Sequence, residues 1–139
     1  MHKRRSLLEA LRTQLKTVYS GVWIQRVAPV RNQYPCITLY AESETTETPS
    51  INAQPRPQLR TVSVSVTAWI RGSPDDEKPE ADLDANALQI EQVLTIPATA
   101  KNLVLTSTDF DIAEDDPELH AVRLTYQMTY TTQSEFNPT

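Results

Sequence analysis

The spacing of apolar residues along this 139-residue chain changes several times. Over 60–70, Val62, Val64, Val66, Ala68 and Ile70 alternate with Thr61, Ser63, Ser65, Thr67 and Trp69. Period-two alternation predicts a strand with one buried face and one polar face. Val122, Leu124, Tyr126, Met128 and Tyr130 alternate with Arg123, Thr125, Gln127, Thr129 and Thr131 in the same way. Leu103–Ile112 reads as another strand, joined to the last by a turn at Glu114-Asp115-Asp116-Pro117-Glu118. Two shorter strands are predicted earlier, at Val22–Val27 and Tyr34–Tyr40. Pro35 lies at the entry of the second, where a missing N–H is tolerated.

Two segments follow the helical period instead. Leu7, Leu8, Leu11, Leu15 and Val18 predict a helix over 6–18, opened by the capping-box pattern Ser6-Leu7-Leu8-Glu9 and stopped by Gly21. Its outer face is basic, through Arg12 and Lys16. Leu83, Ala87, Ile90 and Leu94 predict a second helix, with Pro79 at its first position, Glu80, Asp82 and Asp84 in or near the first turn, and Pro97 as the stop.

Residues 43–58 fit neither period. Ile51 is their only large apolar residue, and they hold three prolines among Ser, Thr and Gln. Such a stretch predicts a flexible loop whose removal over 44–57 leaves the core intact. Residues 133–139 read as a frayed tail. The resulting order is α-β-β-β-α-β-β in one domain spanning 1–139. With one apolar stripe per helix and one apolar face per strand, the predicted class is α+β: a two-layer sandwich, a mostly antiparallel sheet with two helices packed on one face.

Composition narrows the functional classes. A chain of this length buries roughly two thirds of its unfolded surface, enough for a core. Apolar runs reach only three or four residues, too short for a bilayer-spanning helix, and none of signal-peptide length follows the basic start. The single cysteine, Cys36, excludes an internal disulfide framework and reads as a core residue. Two glycines are too few for a phosphate-cradling loop. A reducing, cytoplasmic setting is expected.

The net charge of −5 hides a division. Residues 1–31 carry seven cations against Glu9 alone, net +6, whereas residues 72–118 carry two lysines against thirteen acids, net −11. Opposite-sign surfaces on one molecule suit head-to-tail contacts, which close into rings or run on as filaments; the plainer reading is two solvated faces. The candidate interface residues are Arg4, Arg5, Arg12 and Lys16 on the basic side, and Asp82, Asp84, Asp111, Asp115 and Asp116 on the acidic side. Candidate partner-binding residues are Glu44, Glu47, Ile51 and Arg56 in the loop, together with Trp69, a large aromatic on a polar face. A covering loop or side chain over Trp69 is the alternative.

Little in the chain points to catalysis. His2 and His120 stand apart, with no paired spacing for a transition metal. Asp109 and Asp111 with Glu114, Asp115 and Asp116 supply oxygen ligands but lack the glycine and fixed spacing of a calcium loop. A carboxylate pair acting as acid and base is a weaker reading of the same residues. Lys3, Arg4 and Arg5 are the only tight basic cluster in a chain of negative net charge. No enzyme activity, cofactor, metal, membrane or sequence-specific nucleic acid is expected.

From residue 35 onward the chain resembles the phage tail terminator family, minor tail proteins that cap the tail tube of long-tailed bacteriophages. The resembling features run in the family's order. Pro35-Cys36-Ile37-Thr38-Leu39-Tyr40 passes into an acidic, Thr-rich stretch from Glu42. After a long variable loop come Gln58-Leu59-Arg60-Thr61-Val62-Ser63-Val64-Ser65-Val66 and the acidic helix start Ala81-Asp82-Leu83-Asp84-Ala85. The Leu103–Asp111 strand, the Glu114-Asp115-Asp116 turn and the ending Leu124-Thr125-Tyr126-Gln127-Met128-Thr129-Tyr130 complete the set. The resemblance implies a structural virion protein assembled in the host cytoplasm. It implies a homo-oligomeric, hexameric ring that sits on the tail tube protein, stops tube growth and offers a surface to the head-completion or neck protein. The rival readings are a neck or head-completion protein, and, outside the virion, a cation- or ligand-binding module.

Overall fold

The computed structural model describes residues 3–24, 35–47, 57–72, 78–94, 103–113 and 116–133. Seven elements follow in order: α1 (Lys3–Leu15), β1 (Val22–Ile24), β2 (Cys36–Glu47), β3 (Pro57–Arg71), α2 (Lys78–Leu94), β4 (Val104–Ala113) and β5 (Asp116–Gln133). The strands form one sheet in the order β1-β2-β3-β5-β4. Only β1 and β2 are parallel; every other neighbouring pair is antiparallel. Helix α1 packs on β1 and β2, α2 packs on β3 and β5, and the helices touch each other. The architecture is the predicted α+β sandwich.

The register sorts side chains into two sets of rows. One row runs Val22, Ile37, Ala68, Val122, Phe110 across all five strands, and its neighbour runs Ile24, Leu39, Val66, Leu124, Thr108. These rows face the helices, and Ile37, Leu39, Val62, Val64, Val66, Val122 and Leu124 are fully buried there. Leu7, Leu8, Leu11 and Leu15 from α1, with Leu83, Ala87, Ile90 and Leu94 from α2, close the core from above. The alternate row runs Trp23, Thr38, Thr67, Arg123, Asp109 on the other face. Period two makes the sorting obligatory, because burying one set of alternate residues turns the other set outward.

Two polar devices fix the helices. Tyr19, just beyond α1, is buried, and its hydroxyl donates to Asn86 Oδ1 of α2 at 2.5 Å. At the entry to α2, the Gly72 N–H donates to the Glu118 carbonyl (2.8 Å) and buried His120 donates from Nε2 to the Gly72 carbonyl (3.1 Å). A Cβ at Gly72 would lie 2.7 Å from Pro79 Cγ, so only glycine allows this approach.

Several boundaries differ from those predicted. Helix α1 covers Lys3–Leu15, not 6–18, and Ser6 lies exposed inside it, so no capping box forms. Glu9 is held instead by Arg5 (3.0 Å) and Arg12 (2.6 Å), its neighbours one turn away on either side. After Leu15, Thr17 and Val18 donate to carbonyls three residues back, tightening the last turn. The stripe therefore ends early: Val18 is exposed and Tyr19 takes the buried place. Gly21 lies well past the helix and its carbonyl accepts from Ile37 N–H. In α2, Pro79 is the second helical residue.

The largest difference concerns 43–58. Residues 43–47 belong to β2 and residues 57–58 to β3, so only 48–56 of the predicted loop lie outside the described residues. A bulge between Ala41 and Ser43 inserts Glu42 and reverses the parity: odd residues face the helices before it, and Glu44 does after it. Polar cross-strand pairs then continue the ladder, with Glu44 Oε2 3.1 Å from Arg60 Nη1 and the Thr61 and Thr129 hydroxyls 3.2 Å apart. Removing 44–57 would therefore delete ladder, contrary to the expectation. Likewise, Asp116–Glu118 open β5 instead of ending a turn, and Gln133 is still in that strand. Of the predicted strand Val22–Val27, residues 25–27 lie outside the described residues, as do 134–139 of the predicted tail.

Two stability predictions follow from burial. Leu15→Ala, at a fully buried site, should cost about 2–5 kcal/mol in urea denaturation, whereas Leu88→Ala, 57% exposed, should stay within about 0.5 kcal/mol of wild type. Arg60→Ala should cost about 1.5–3 kcal/mol by the same measurement, because it removes a charge-assisted hydrogen bond to Glu44, whose side chain is only 10% exposed.

Candidate interaction surface

Helices cover one sheet face; the other carries a groove of about 320 Å³. Its lining comes from four strands: Thr38 and Tyr40 of β2, Thr67 and Trp69 of β3, Ala121 and Arg123 of β5, and Asp109, Phe110 and Asp111 of β4. The pairings Cys36–Trp69–Ala121–Asp111 and Thr38–Thr67–Arg123–Asp109 bring these residues side by side. The volume lies at the lower end of the range for small-ligand pockets, and the lining mixes aromatic and charged groups.

Several polar groups in the groove have defined partners. Trp69 is half-buried, and its indole N–H donates to Thr38 Oγ1 at 3.0 Å. That bond anchors the ring from within the sheet. Arg123 lies 3.9 Å from Asp109, with both side chains about half exposed. An exposed pair at that distance contributes little to stability. Asp111 accepts from the Ile112 N–H at 2.8 Å. Beyond Tyr40, Ser65 donates to Glu42. Among the described residues, Glu42, Asp109 and Asp111 against Arg123 and Arg71 leave this face with a slight acidic surplus.

Strand β4 stands last in the sheet order, so its outer backbone edge has no strand beside it among the described residues. It also carries three exposed large apolar residues, Val104, Phe110 and Ile112, at 59%, 56% and 48% exposure. Phe110 and Ile112 are in register with Val122 and His120 on the helix side, yet the helices do not bury them. Exposed edges are usually blunted or covered in native proteins. Apolar edge residues make β4 a site for a neighbour.

The predicted site residues separate into groups. Arg5, Arg12 and Lys16 lie on or just beyond α1, while Asp82 and Asp84 lie on α2 in the same layer. Asp82 is already paired with Lys78 at 2.8 Å, and Asp84 is exposed. Asp111 lies on the opposite face of the sheet, so the acidic residues do not form one surface. Trp69 lines the groove, where its partial burial accommodates both an anchor and a partly covered ring. Glu44 is committed to Arg60. Arg4, Glu47 and Asp116 fall within α1, β2 and β5; Ile51, Arg56 and Asp115 lie outside the described residues. The sequence reading missed Thr38, Tyr40, Thr67, Phe110 and Arg123 as groove residues. Except for Phe110, which belongs to the helix-facing row, their place on the polar face was visible, but the register bringing them together was not.

Burial raises the pKa of three interior groups, Cys36, Tyr19 and Tyr126. Burial pushes the Cys36 thiol up to about 11, so it stays protonated and weakly nucleophilic near neutrality. Tyr19 is pushed up to about 12 by burial. Tyr126 is pushed up by burial and, to a smaller degree, by the charge of Glu91, and its buried hydroxyl has no hydrogen-bond partner among the described residues. Among the described residues, no three His, Cys, Asp or Glu side chains gather as metal ligands would. No described helix is long and apolar enough to cross a membrane.

No family model matches the chain. No curated protein matches it in sequence either. The groove and the β4 edge are therefore the features a functional role has to use.

The raised values set a pH dependence. A thiol or phenol whose folded value exceeds its unfolded one stabilises the fold fully below the unfolded value and loses that stabilisation as pH rises through the folded one. Stability should thus decline above about pH 9 as Cys36 comes into play and further between about 10 and 12 with Tyr19. Denaturant midpoints measured from pH 7 to 11.5 test the sign. At pH 8, iodoacetamide should modify Cys36 only after unfolding.

Proposed function

We propose that this chain is a structural subunit of a phage tail, a tail terminator that assembles into a ring, caps the tail tube and presents a surface to the head. The observation carrying this reading is the exposed β4 edge with Val104, Phe110 and Ile112, beside a grooved sheet face that the helices do not cover. Such a surface calls for protein neighbours, and its work is contact, not bond making. The ordered resemblance from Pro35 to Tyr130 supplies the identity of those neighbours: further copies in a hexameric ring, the tail tube protein below and a neck protein above.

The assembly mechanism follows from surface asymmetry. The cations of α1 lie in the helical layer and Asp109 and Asp111 on the opposite sheet face, so the two patches differ in place as well as sign. Unlike patches on one molecule make heterologous contacts, which close into a ring when the rotation per subunit allows. The hairpin of β2 and β3, prolonged by its polar ladder, gives the subunit an arm that reaches toward the tube. Once the ring is seated, the next tube subunit finds no matching surface, and growth stops.

Sedimentation velocity across protein concentration and salt tests the reading. Rings should form at high concentration or with tube protein, and weaken between 0.1 and 1 M salt, where the screening length falls from about 10 Å to about 3 Å. A monomer at every concentration and salt, with tube protein present, would contradict it. In infected cells, loss of the protein should yield overlong tails without heads. Filled heads that leak DNA would point to the neck protein instead.

A further inference from the structure

The molecule carries two surfaces of complementary chemistry that a single chain cannot bring together. The groove is lined by Asp109 and Asp111 on β4, with Trp69 in the same cross-strand row as Asp111, across Ala121, and Tyr40 on the far wall. Arg123 lies 3.9 Å from Asp109. Asp111 accepts one backbone N–H, and a carboxylate has room for several further donors. Carboxylates next to aromatic rings suit a guanidinium or ammonium group, which gains from both the charge and the ring faces. The matching donors lie on α1. Arg5 and Arg12 share the single carboxylate of Glu9, and Lys16 is exposed just past the helix, so this surface keeps a positive surplus.

Helix α1 packs on the apolar face of the sheet, and the groove opens on the other face. The cations of a chain therefore cannot reach its own groove. A two-fold contact of groove against groove is disfavoured too, because it would set like carboxylates against each other. We propose that the groove between Trp69 and Asp111 receives the α1 cations, Arg5 and Lys16 foremost, of a second copy of this chain. The contact rests on the ring reading above and names the joint by which successive subunits connect. It is heterologous: each copy offers its groove to one neighbour and its helix to another, so the contact repeats around an assembly.

Reciprocal charge reversal tests the joint. The groove variant Asp109→Lys/Asp111→Lys and the helix variant Arg5→Glu/Lys16→Glu alter exposed positions, and circular dichroism checks that each keeps its fold. Should the lysine variant fail to fold, Asp109→Asn/Asp111→Asn tests the weakening by neutralisation, without the mixing step, and undiminished association of that variant overturns the joint. Each variant alone should associate about tenfold more weakly than wild type in sedimentation at low salt. Mixing the groove and helix variants should restore association, since every joint then meets opposite charge. If wild type assembles and either variant assembles equally well, or if both are weakened and the mixture recovers nothing, the joint is overturned while the ring reading stands. If wild type never assembles, both fail.

Discussion

The apolar face of β3 is the constraint on which the molecule depends. Val62, Val64, Val66 and Ala68 are fully buried at the centre of the sheet, between β2 and β5 and beneath α2. Fully burying each valine contributes roughly 1.5–3 kcal/mol, so this strand cannot slip by one residue without exposing the core. The same constraint reaches the functional face. Because side chains alternate, Thr67 and Trp69 must point away from the helices, and their register partners Thr38, Ala121 and Arg123 with them. Core and groove are two sides of one decision.

Much of this organisation is legible in the residues. The alternation in β3 and β5 and the helical stripes of α1 and α2 lead directly to the two-layer sandwich. The losses occur where polar chemistry, not apolar periodicity, carries the backbone. The Glu42 bulge breaks the alternation of β2, and beyond it Glu44, Thr45 and Thr46 form strand because Arg60 and Thr61 wait opposite them. Composition alone makes that stretch look like loop. At α1, Tyr19 replaces Val18 in the core because the helix tightens after Leu15 and Asn86 offers Tyr19 an acceptor across the layer. Neither partner is a sequence neighbour.

The site was legible to a lesser degree. Trp69 stands out as a large ring on a Ser/Thr face, and Asp109 and Asp111 as alternate acids. Their meeting with Tyr40, Thr67 and Arg123 depends on the order β2-β3-β5-β4, in which β5 enters between β3 and β4. Nothing local in the sequence specifies that insertion. The even division of charge into a basic start and an acidic middle likewise dissolves on folding: Asp82 and Asp84 join the helical layer, and Asp111 goes to the bare face. What survives is an opposition between the cations of α1 and the groove acids, which lie on opposite sides of one sheet, a geometry suited to a repeating joint.

The account treats this polypeptide as a building block whose work is done at its surfaces. Electron imaging of the purified protein with isolated tail tubes addresses that claim most directly. The account predicts closed rings, one subunit thick, seated at one end of each tube and absent along its length. Bare tube ends among dispersed single subunits would contradict it.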